Sequence, residues 1–463
     1  METVTITIDG REVSGHPGMT VLELARESGL EIPTLCYDPH LKPIGSCRIC
    51  LVEEERSGAL MASCVTPISA GMAINTSSER VIEHRKTVIN LMLASHPDSC
   101  MMCDKGNRCQ LRQIASDMGI GLIEMQRIPK MATIQEVNPF IERDLSKCIL
   151  CGKCIRACQE LVVEGAIDYF QRGFGAKPAT FGDMPLESSE CTFCGTCVAM
   201  CPTGALMEKE KDYHGTTDTA TETTCPYCGC GCTIRLEVKE GQIVRSSPGD
   251  GTSINNGTLC VKGSQGYDFV NSPDRISQPL VRTDEGLQEV SWETAMDRAA
   301  KELGRIVNQR GPASVAVLGS PVCTNEDNYM LQWFARCVLG TNNIDCSGRL
   351  HNTAYENQPL TRQKSPSLDE LEQSEVIVVI GADLSSSAPI LEYAIKRAVR
   401  FRGAKLILID PRQTELAPFA QFWLRPIICS DSALLHNMAK FIIDENLIDK
   451  EFIEQRTRGF DKY

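Results

Sequence analysis

Cysteine is the residue with chemistry to offer here: the chain carries 24 of them in 463 residues, many in C-x2-C pairs. Two intervening residues let both thiolates face one centre from a single turn. The start, Met1 to Ile6, alternates polar and apolar residues and has no secretory leader pattern. In a reducing compartment such pairs mean zinc, iron–sulfur or a redox dithiol rather than a disulfide framework. The first set is Cys36, Cys47, Cys50 and Cys64. Four thiolates can hold a [2Fe–2S] cluster, although the first interval is longer than in the plant-type C-x4-C-x2-C pattern. A structural zinc ion is the alternative. The second set is His96, Cys100, Cys103 and Cys109, a histidine four positions before a C-x2-C-x5-C run that lacks a fourth cysteine. An imidazole ligand would complete that site and, being neutral, would change the charge and potential of a cluster there. A packed or surface histidine is the plainer reading.

The third and fourth sets are the most specific. Cys148, Cys151, Cys154 and Cys158 have the C-x2-C-x2-C-x3-C spacing of bacterial two-cluster ferredoxins, and Cys191, Cys194, Cys197 and Cys201 repeat it. Pro202 follows the second run, whereas Gln159 follows the first. In that signature the fourth cysteine serves the other cluster. Cys201 is therefore expected with Cys148, Cys151 and Cys154, and Cys158 with Cys191, Cys194 and Cys197. The fifth set lies in Cys225-Pro-Tyr-Cys228-Gly-Cys230-Gly-Cys232 with Cys260 downstream. Cys225, Cys228, Cys232 and Cys260 make a four-ligand site and leave Cys230 spare; a zinc ribbon is the alternative. Cys323, Cys337, Cys346 and Cys429 stand singly and read as small core residues.

The elements that must position these ligands change character along the chain. Val4, Ile6 and Ile8 alternate on a strand, Asp9-Gly10 is a hairpin turn, and Thr20 caps a short helix carrying Val21, Leu22, Leu24 and Ala25. Residues 78–118 read as mostly helical. Residues 138–210 are loop-rich, and the polar stretch Lys211 to Thr223 reads as a linker. Beyond residue 273, Ser291 caps a helix with an apolar face of Ala295, Met296, Ala299, Leu303 and Ile306. Apolar strands are expected at 315–318, 376–380 and 406–409, each ending in a turn. Helical patterns between them predict a parallel, doubly wound sheet.

Composition excludes several classes. The formal charge of −13, with no basic block, argues against a nucleic-acid partner. No apolar run approaches the roughly 20 residues of a membrane-spanning helix, so the expectation is a soluble, cytoplasmic protein. No G-x-G-x-x-G opens a helix and no P-loop occurs. A flavin that splits a hydride pair into single electrons would have to lie on another chain.

The order of the sites, with His96-Pro-Asp-Ser-Cys100, the paired ferredoxin runs, and Cys260-Val-Lys262-Gly, resembles the catalytic subunit of NAD-dependent molybdenum or tungsten formate dehydrogenases. The front half also resembles the large Fe–S subunit of respiratory complex I. The resemblance implies a multidomain α+β then α/β chain. Its parts would begin with a β-grasp [2Fe–2S] ferredoxin at 1–77. A His/Cys cluster domain at 78–118, holding a [4Fe–4S] cluster by one histidine and three cysteines, and a two-cluster bacterial ferredoxin at 138–210 would come next. A molybdopterin-oxidoreductase-type [4Fe–4S] domain at 218–273 and a truncated molybdopterin-oxidoreductase-like α/β domain at 274–463 would follow. The implied cofactors are one [2Fe–2S] and four [4Fe–4S] clusters, with Lys262 at the relay position between the fifth cluster and a pterin. Gly340-Thr-Asn-Asn-Ile-Asp-Cys346 and Ile409-Asp-Pro-Arg-Gln-Thr-Glu-Leu-Ala417 resemble the pterin-binding domain.

Three departures speak against a working pterin site. His351 and Asn352 stand where the family places its sulfur or selenium ligand followed by histidine. Cys429, in Pro426-Ile-Ile-Cys-Ser-Asp431, stands where the family has glycine. The sequence ends at Tyr463, partway through the domain. The expectation is a domain without molybdopterin or a catalytic site of its own, in an Fe–S subunit of a cytoplasmic complex. Its implied partners are a flavin/NAD(H)-binding Fe–S subunit, a small [2Fe–2S] subunit, and ferredoxin or an NADP(H)-linked subunit. The complex would be of the electron-bifurcating hydrogenase or transhydrogenase kind. The competing expectation is a formate dehydrogenase catalytic subunit.

Overall fold

The computed structural model describes residues 3–121, 123, 125–128, 137–209, 215–249, 254–346 and 366–462. It divides into two units, Met1–Lys364 and Ser365–Tyr463.

The first unit opens with the expected hairpin. Strands Val4–Ile8 and Arg11–Gly15 pair antiparallel across Asp9 and Gly10, whose φ values of 49° and 76° supply the left-handed turn. Three further strands complete a mixed sheet in the order Arg11–Gly15, Val4–Ile8, Ala73–Asn75, Leu51–Glu54, Ala59–Ala62. Helix Val21–Glu27 begins in a capping box: Thr20 accepts from the Glu23 amide, and Glu23 reaches back to the Thr20 amide. Its apolar residues pack with Ile6, Ile8, Val52 and Ile74, and Cys50 and Cys64 belong to the same core. Helices Glu79–Ala94 and Gln110–Asp117 follow. The segment with the paired cysteine runs is closed by antiparallel strands Ile141–Arg143 and Leu206–Glu208.

The expected linker is in part a strand. Thr219–Thr224 pairs antiparallel with Thr233–Lys239, which pairs with Gln242–Pro248. Polarity suggested a linker, but the segment TATETT is rich in β-branched threonine and lies exposed at a sheet edge, where polar side chains cost nothing.

The single doubly wound sheet expected beyond residue 273 is, among the described residues, two short parallel sheets. Val317–Gly319 pairs with Ile344–Cys346 in the first unit, its strand starting two residues later than expected. Val376–Ile380, Lys405–Ile409 and Phe422–Leu424 pair in the second. Ser291 does cap helix Trp292–Arg310, but none of that helix is buried and Met296 is 62 % exposed. In the second unit Ile377 and Val379 face the core, packed with helix Pro389–Arg402, while Val376, Val378 and Ile380 on the opposite face stay exposed. Among the described residues no helix is long and apolar enough to cross a membrane.

Candidate metal centres

The first set is assembled by the loop ahead of strand Leu51–Glu54 and the turn after Ala59–Ala62, and all four cysteines are buried. The Cys50 and Cys64 sulfurs lie 3.3 Å apart, and the Cys47 amide donates to Cys36 Sγ at 3.4 Å. Thiol protons shared within this group set its acidity. Hydrogen bonds with Cys47 and Cys64 pull Cys36 far down, and the one between Cys50 and Cys64 brings Cys50 to about 6. Cys47 and Cys64 are pushed up in return, each chiefly by its bond to Cys36. Arg85, from the next helix, steadies the loop by donating to the carbonyls of Ile49 (2.9 Å) and Leu51 (2.6 Å).

The second set gathers after helix Glu79–Ala94. His96 Nδ1 lies 3.1 Å from the Pro97 carbonyl. With Nδ1–H donating there, Nε2 carries a lone pair, and it is buried with no hydrogen-bond partner. That is the arrangement of a metal-ligating histidine, whose other ring nitrogen is held by a carbonyl. Burial keeps the ring's pKa below its ordinary value and so keeps that lone pair free. Cys103 is buried, Cys109 caps helix Gln110–Asp117, and Cys100 is exposed in a short turn. Cys103 Sγ sits so near Gly204 that a Cβ there would lie 2.7 Å from the sulfur.

The third and fourth sets cross as the spacing predicts. Cys154 is fully enclosed and its pKa is raised well above the ordinary thiol range by burial, then by the sulfurs of Cys151, Cys201 and Cys148. Cys197 is raised likewise by burial and then by Cys194 and Cys191, with Cys154 and Cys158 further out. Burial, then Cys194, lifts Cys158 to about 11. A cavity of about 20 Å³ is lined by Cys148, Cys151, Cys154 and Cys201, and one of about 30 Å³ by Cys158, Cys191, Cys194 and Cys197. The two runs share their backbone as well as their spacing. Leu150 and Phe193 both have positive φ (55° and 52°), and Gly152 and Gly195 follow at 71° and 76°. Pro202 marks where they differ. Helix Thr196–Met200 of the second run stops before Pro202, whereas helix Lys153–Arg156 of the first, with Gln159 in that place, continues through the wider turn Ala157–Val162.

The fifth set forms between strands Thr219–Thr224 and Thr233–Lys239, joined by Cys260 at the start of helix Val261–Gln265. The Cys225 amide donates to the Cys232 carbonyl at 2.8 Å. Burial lifts Cys232 to about 12, and the sulfurs of Cys230, Cys225, Cys228 and Cys260 all add to the shift. Cys230, the spare thiol by spacing, thus acts on Cys232 along with the four expected ligands. Lys262 acts on Cys225, and both line a cavity of about 220 Å³ with Tyr227, Tyr267 and Phe269. Among the described residues no three His, Cys, Asp or Glu side chains converge as they would on one bare ion.

These thiols pass the chemical test for anionic metal clusters. In the third and fourth sets burial and neighbouring sulfurs hold Cys151, Cys154, Cys158, Cys191 and Cys197 above the ordinary thiol range, a condition that bound iron would reverse. When bound, such a cluster takes up and releases one electron. The chain's part is to hold ligands, exclude water and bring sites together. Cys36 and Cys47 of the first set, Cys109 of the second and Cys151 of the third pack in one apolar core. Cys148, Cys154 and Cys201 share another with Cys158, Cys191 and Cys197. Gly195, beside the fourth set, abuts Ser264 on the helix that follows Cys260.

Other expectations fared differently. Cys323, Cys337 and Cys429 are exposed rather than core residues, because the apolar faces around them are uncovered. Cys346 is half-buried. Cys429 has φ 69°, the left-handed region that favours the glycine of the resembled family. His351 and Asn352 lie outside the described residues. Sequence reasoning missed the cations that enter the site walls, Arg85, Lys105 and Arg156, since no spacing rule links them to the cysteines.

Comparison with known proteins matches this order of sites. Residues 1–79 match the 2Fe-2S iron-sulfur cluster binding domain, and 85–123 the NADH-ubiquinone oxidoreductase-G iron-sulfur binding region. Residues 147–205 match the 4Fe-4S dicluster domain, 218–272 the molybdopterin oxidoreductase Fe4S4 domain, and 275–458 molybdopterin oxidoreductase. Successive segments of the chain thus match iron–sulfur and molybdopterin-oxidoreductase domain models, each over less than half of its length. Over 97 % of its length it is 36 % identical to NADPH-Fe(3+) oxidoreductase subunit alpha of Geobacter sulfurreducens, covering 53 % of that protein. It is 34 % identical over 91 % of its length to a subunit of NADH-quinone oxidoreductase from Rhizobium meliloti (49 % covered). A putative formate dehydrogenase of Bacillus subtilis is 31 % identical over the whole chain (52 % covered). The chain thus spans about half the length of these relatives.

Proposed function

We propose that this chain is an iron–sulfur electron-transfer subunit of a multi-subunit oxidoreductase, with one [2Fe–2S] and four [4Fe–4S] clusters on the ligand sets above. The observation that carries the reading is the crossing of Cys201 to the first ferredoxin run and Cys158 to the second. A zinc site has no use for that duplicated exchange. The shared cores support a relay, because an electron moves between centres only over short separations, and ligands of the first four sets lie in two apolar cores that the third set joins.

In this reading single electrons pass between a flavin/NAD(P)(H)-binding partner and ferredoxin or another redox subunit in the cytoplasm, in a complex of the bifurcating transhydrogenase or hydrogenase type. The relatives' names, two nicotinamide-linked oxidoreductase subunits among them, support it. A second reading, a molybdenum or tungsten formate dehydrogenase catalytic subunit, is favoured by the molybdopterin-oxidoreductase match over 275–458. Cys429 at a glycine-type φ weighs against it. Iron, sulfide, molybdenum and tungsten analysis with a reductive EPR titration of the full chain separates the readings. Iron and sulfide with no heavy metal supports the first. Stoichiometric molybdenum or tungsten with extractable pterin establishes the second, and zinc in place of iron ends both.

A further inference from the structure

The chain's formal charge is −13, yet among the described residues every charged side chain buried in the first unit is a cation: Arg85, Lys105, Arg143, Lys153, Arg156 and Arg245. No Asp or Glu is buried with them among the described residues of that unit. A buried cation without a nearby anion is strongly disfavoured, because desolvation of the charge goes uncompensated. Arg245 meets Glu237 at 2.7 Å, and Lys153 meets Asp38 at 3.7 Å. Lys105 has no such partner. Its Nζ reaches only the Val198 carbonyl, at 3.4 Å, and no carboxylate lies within ion-pairing distance among the described residues. Yet the residue is only 5 % exposed.

Its location suggests what anion it serves. Lys105 lies between Cys103 and Cys109 of the second set, and Val198 lies between Cys197 and Cys201. The Val198 carbonyl that accepts from the Lys105 ammonium also accepts from the Cys201 amide, at 3.2 Å, so the two residues meet on one oxygen; the Glu208 carboxylate stands 3.9 Å from Arg245. The Gln110 amide donates to the Pro202 carbonyl at 2.9 Å, which closes the same junction. The ammonium is enclosed where the second set meets the third.

We propose that Lys105 is a positioning residue of the relay: the fixed countercharge of the centre held by Cys148, Cys151, Cys154 and Cys201, raising that centre's reduction potential. The inference rests on reading this set as a [4Fe–4S] site. Reduction adds one electron to an already anionic, thiolate-ligated centre; the donor loses one, and no bond or proton is exchanged. A nearby cation stabilises the more negative, reduced state more than the oxidised one. The third centre, whose ligands share apolar cores with ligands of the first, second and fourth sets, becomes the place where an electron collects.

The test is an EPR-monitored potentiometric titration of the full chain, with iron and sulfide content, for wild type, Lys105→Met and Lys105→Arg. The third centre's signal is assigned by its loss in Cys154→Ser. Lys105→Met is expected to lower that midpoint by about 59 mV, a tenfold shift in a one-electron equilibrium. The fifth centre should stay put, and Lys105→Arg should restore most of the shift. An unchanged midpoint in fully loaded Lys105→Met overturns the inference, as does an equal shift in Lys105→Arg. If Lys105→Met loses iron, Lys105→Gln is measured too. Loss in both neutral variants with retention in Lys105→Arg supports the countercharge; loss in all three assigns Lys105 to packing and overturns it. If Lys105→Gln stays loaded, its midpoint decides. A wild type lacking iron and sulfide at the third set refutes the cluster reading itself, and the inference with it.

Discussion

Replacing His96 by leucine should have opposite effects on the cluster-free and the iron-loaded chain. In the cluster-free fold Nε2 is a buried acceptor with no partner, a condition worth about 1–3 kcal/mol of destabilisation. Nδ1 contributes roughly 1 kcal/mol through the Pro97 carbonyl, which leucine forfeits. Leucine fills similar space with apolar atoms, so the net change is a stabilisation of about 0–2 kcal/mol. In the loaded chain the same substitution removes a ligand, and the second set keeps three thiolates. Amide exchange in helices Glu79–Ala94 and Gln110–Asp117 reads the first effect. Iron content and the EPR signal of the second centre read the other. Exchange that speeds up in the cluster-free variant would show that Nε2 is satisfied. A loaded variant that keeps its second centre would remove His96 from the ligand set.

Cys158→Ser should abolish the signal of the fourth centre and spare the third, despite lying next to the third in sequence; loss of the third alone, read by EPR, would undo the crossing. Acid should act first at the second set. Burial lowers the His96 pKa, so the fold prefers the neutral ring, and its stability falls as pH drops through the unfolded value of about 6.5; iron release measured between pH 8 and 5.5 should begin there. The cluster-free chain should instead lose stability in alkali, between the ordinary thiol value of 9 and the raised values of about 11 for Cys158 and about 12 for Cys151, where folded thiols resist ionisation and unfolded ones do not. Cys429→Val should destabilise the second unit by about 1–2 kcal/mol by placing a branched side chain at φ 69°, while Cys429→Gly costs nothing, in denaturant unfolding followed by circular dichroism.

The ligand sets were legible in the sequence because iron–sulfur coordination fixes residue type and local spacing together. Two thiolates on one turn need two residues between them, and that constraint survives any change in the surrounding fold. The Asp9-Gly10 hairpin and the Thr20 capping box were legible for the same reason: each is decided within a few residues. Strand Thr219–Thr224 was not, because polarity suggests a linker until a neighbouring strand offers hydrogen bonds. Nor was the exposure of helix Trp292–Arg310, since an apolar stripe records what a helix can bury rather than what covers it. Spacing named four cysteines in each ferredoxin run. The ferredoxin signature already paired Cys201 with Cys154 across 47 residues of sequence, whereas only packing leaves His96 Nε2 with a lone pair and encloses Lys105 beside the thiols. Those are long-range consequences, in which the cost of burying each charge or polar atom depends on residues far away in the chain. The sequence by itself determined which atoms could hold the clusters; the tertiary structure decided which sites adjoin and which charges surround them.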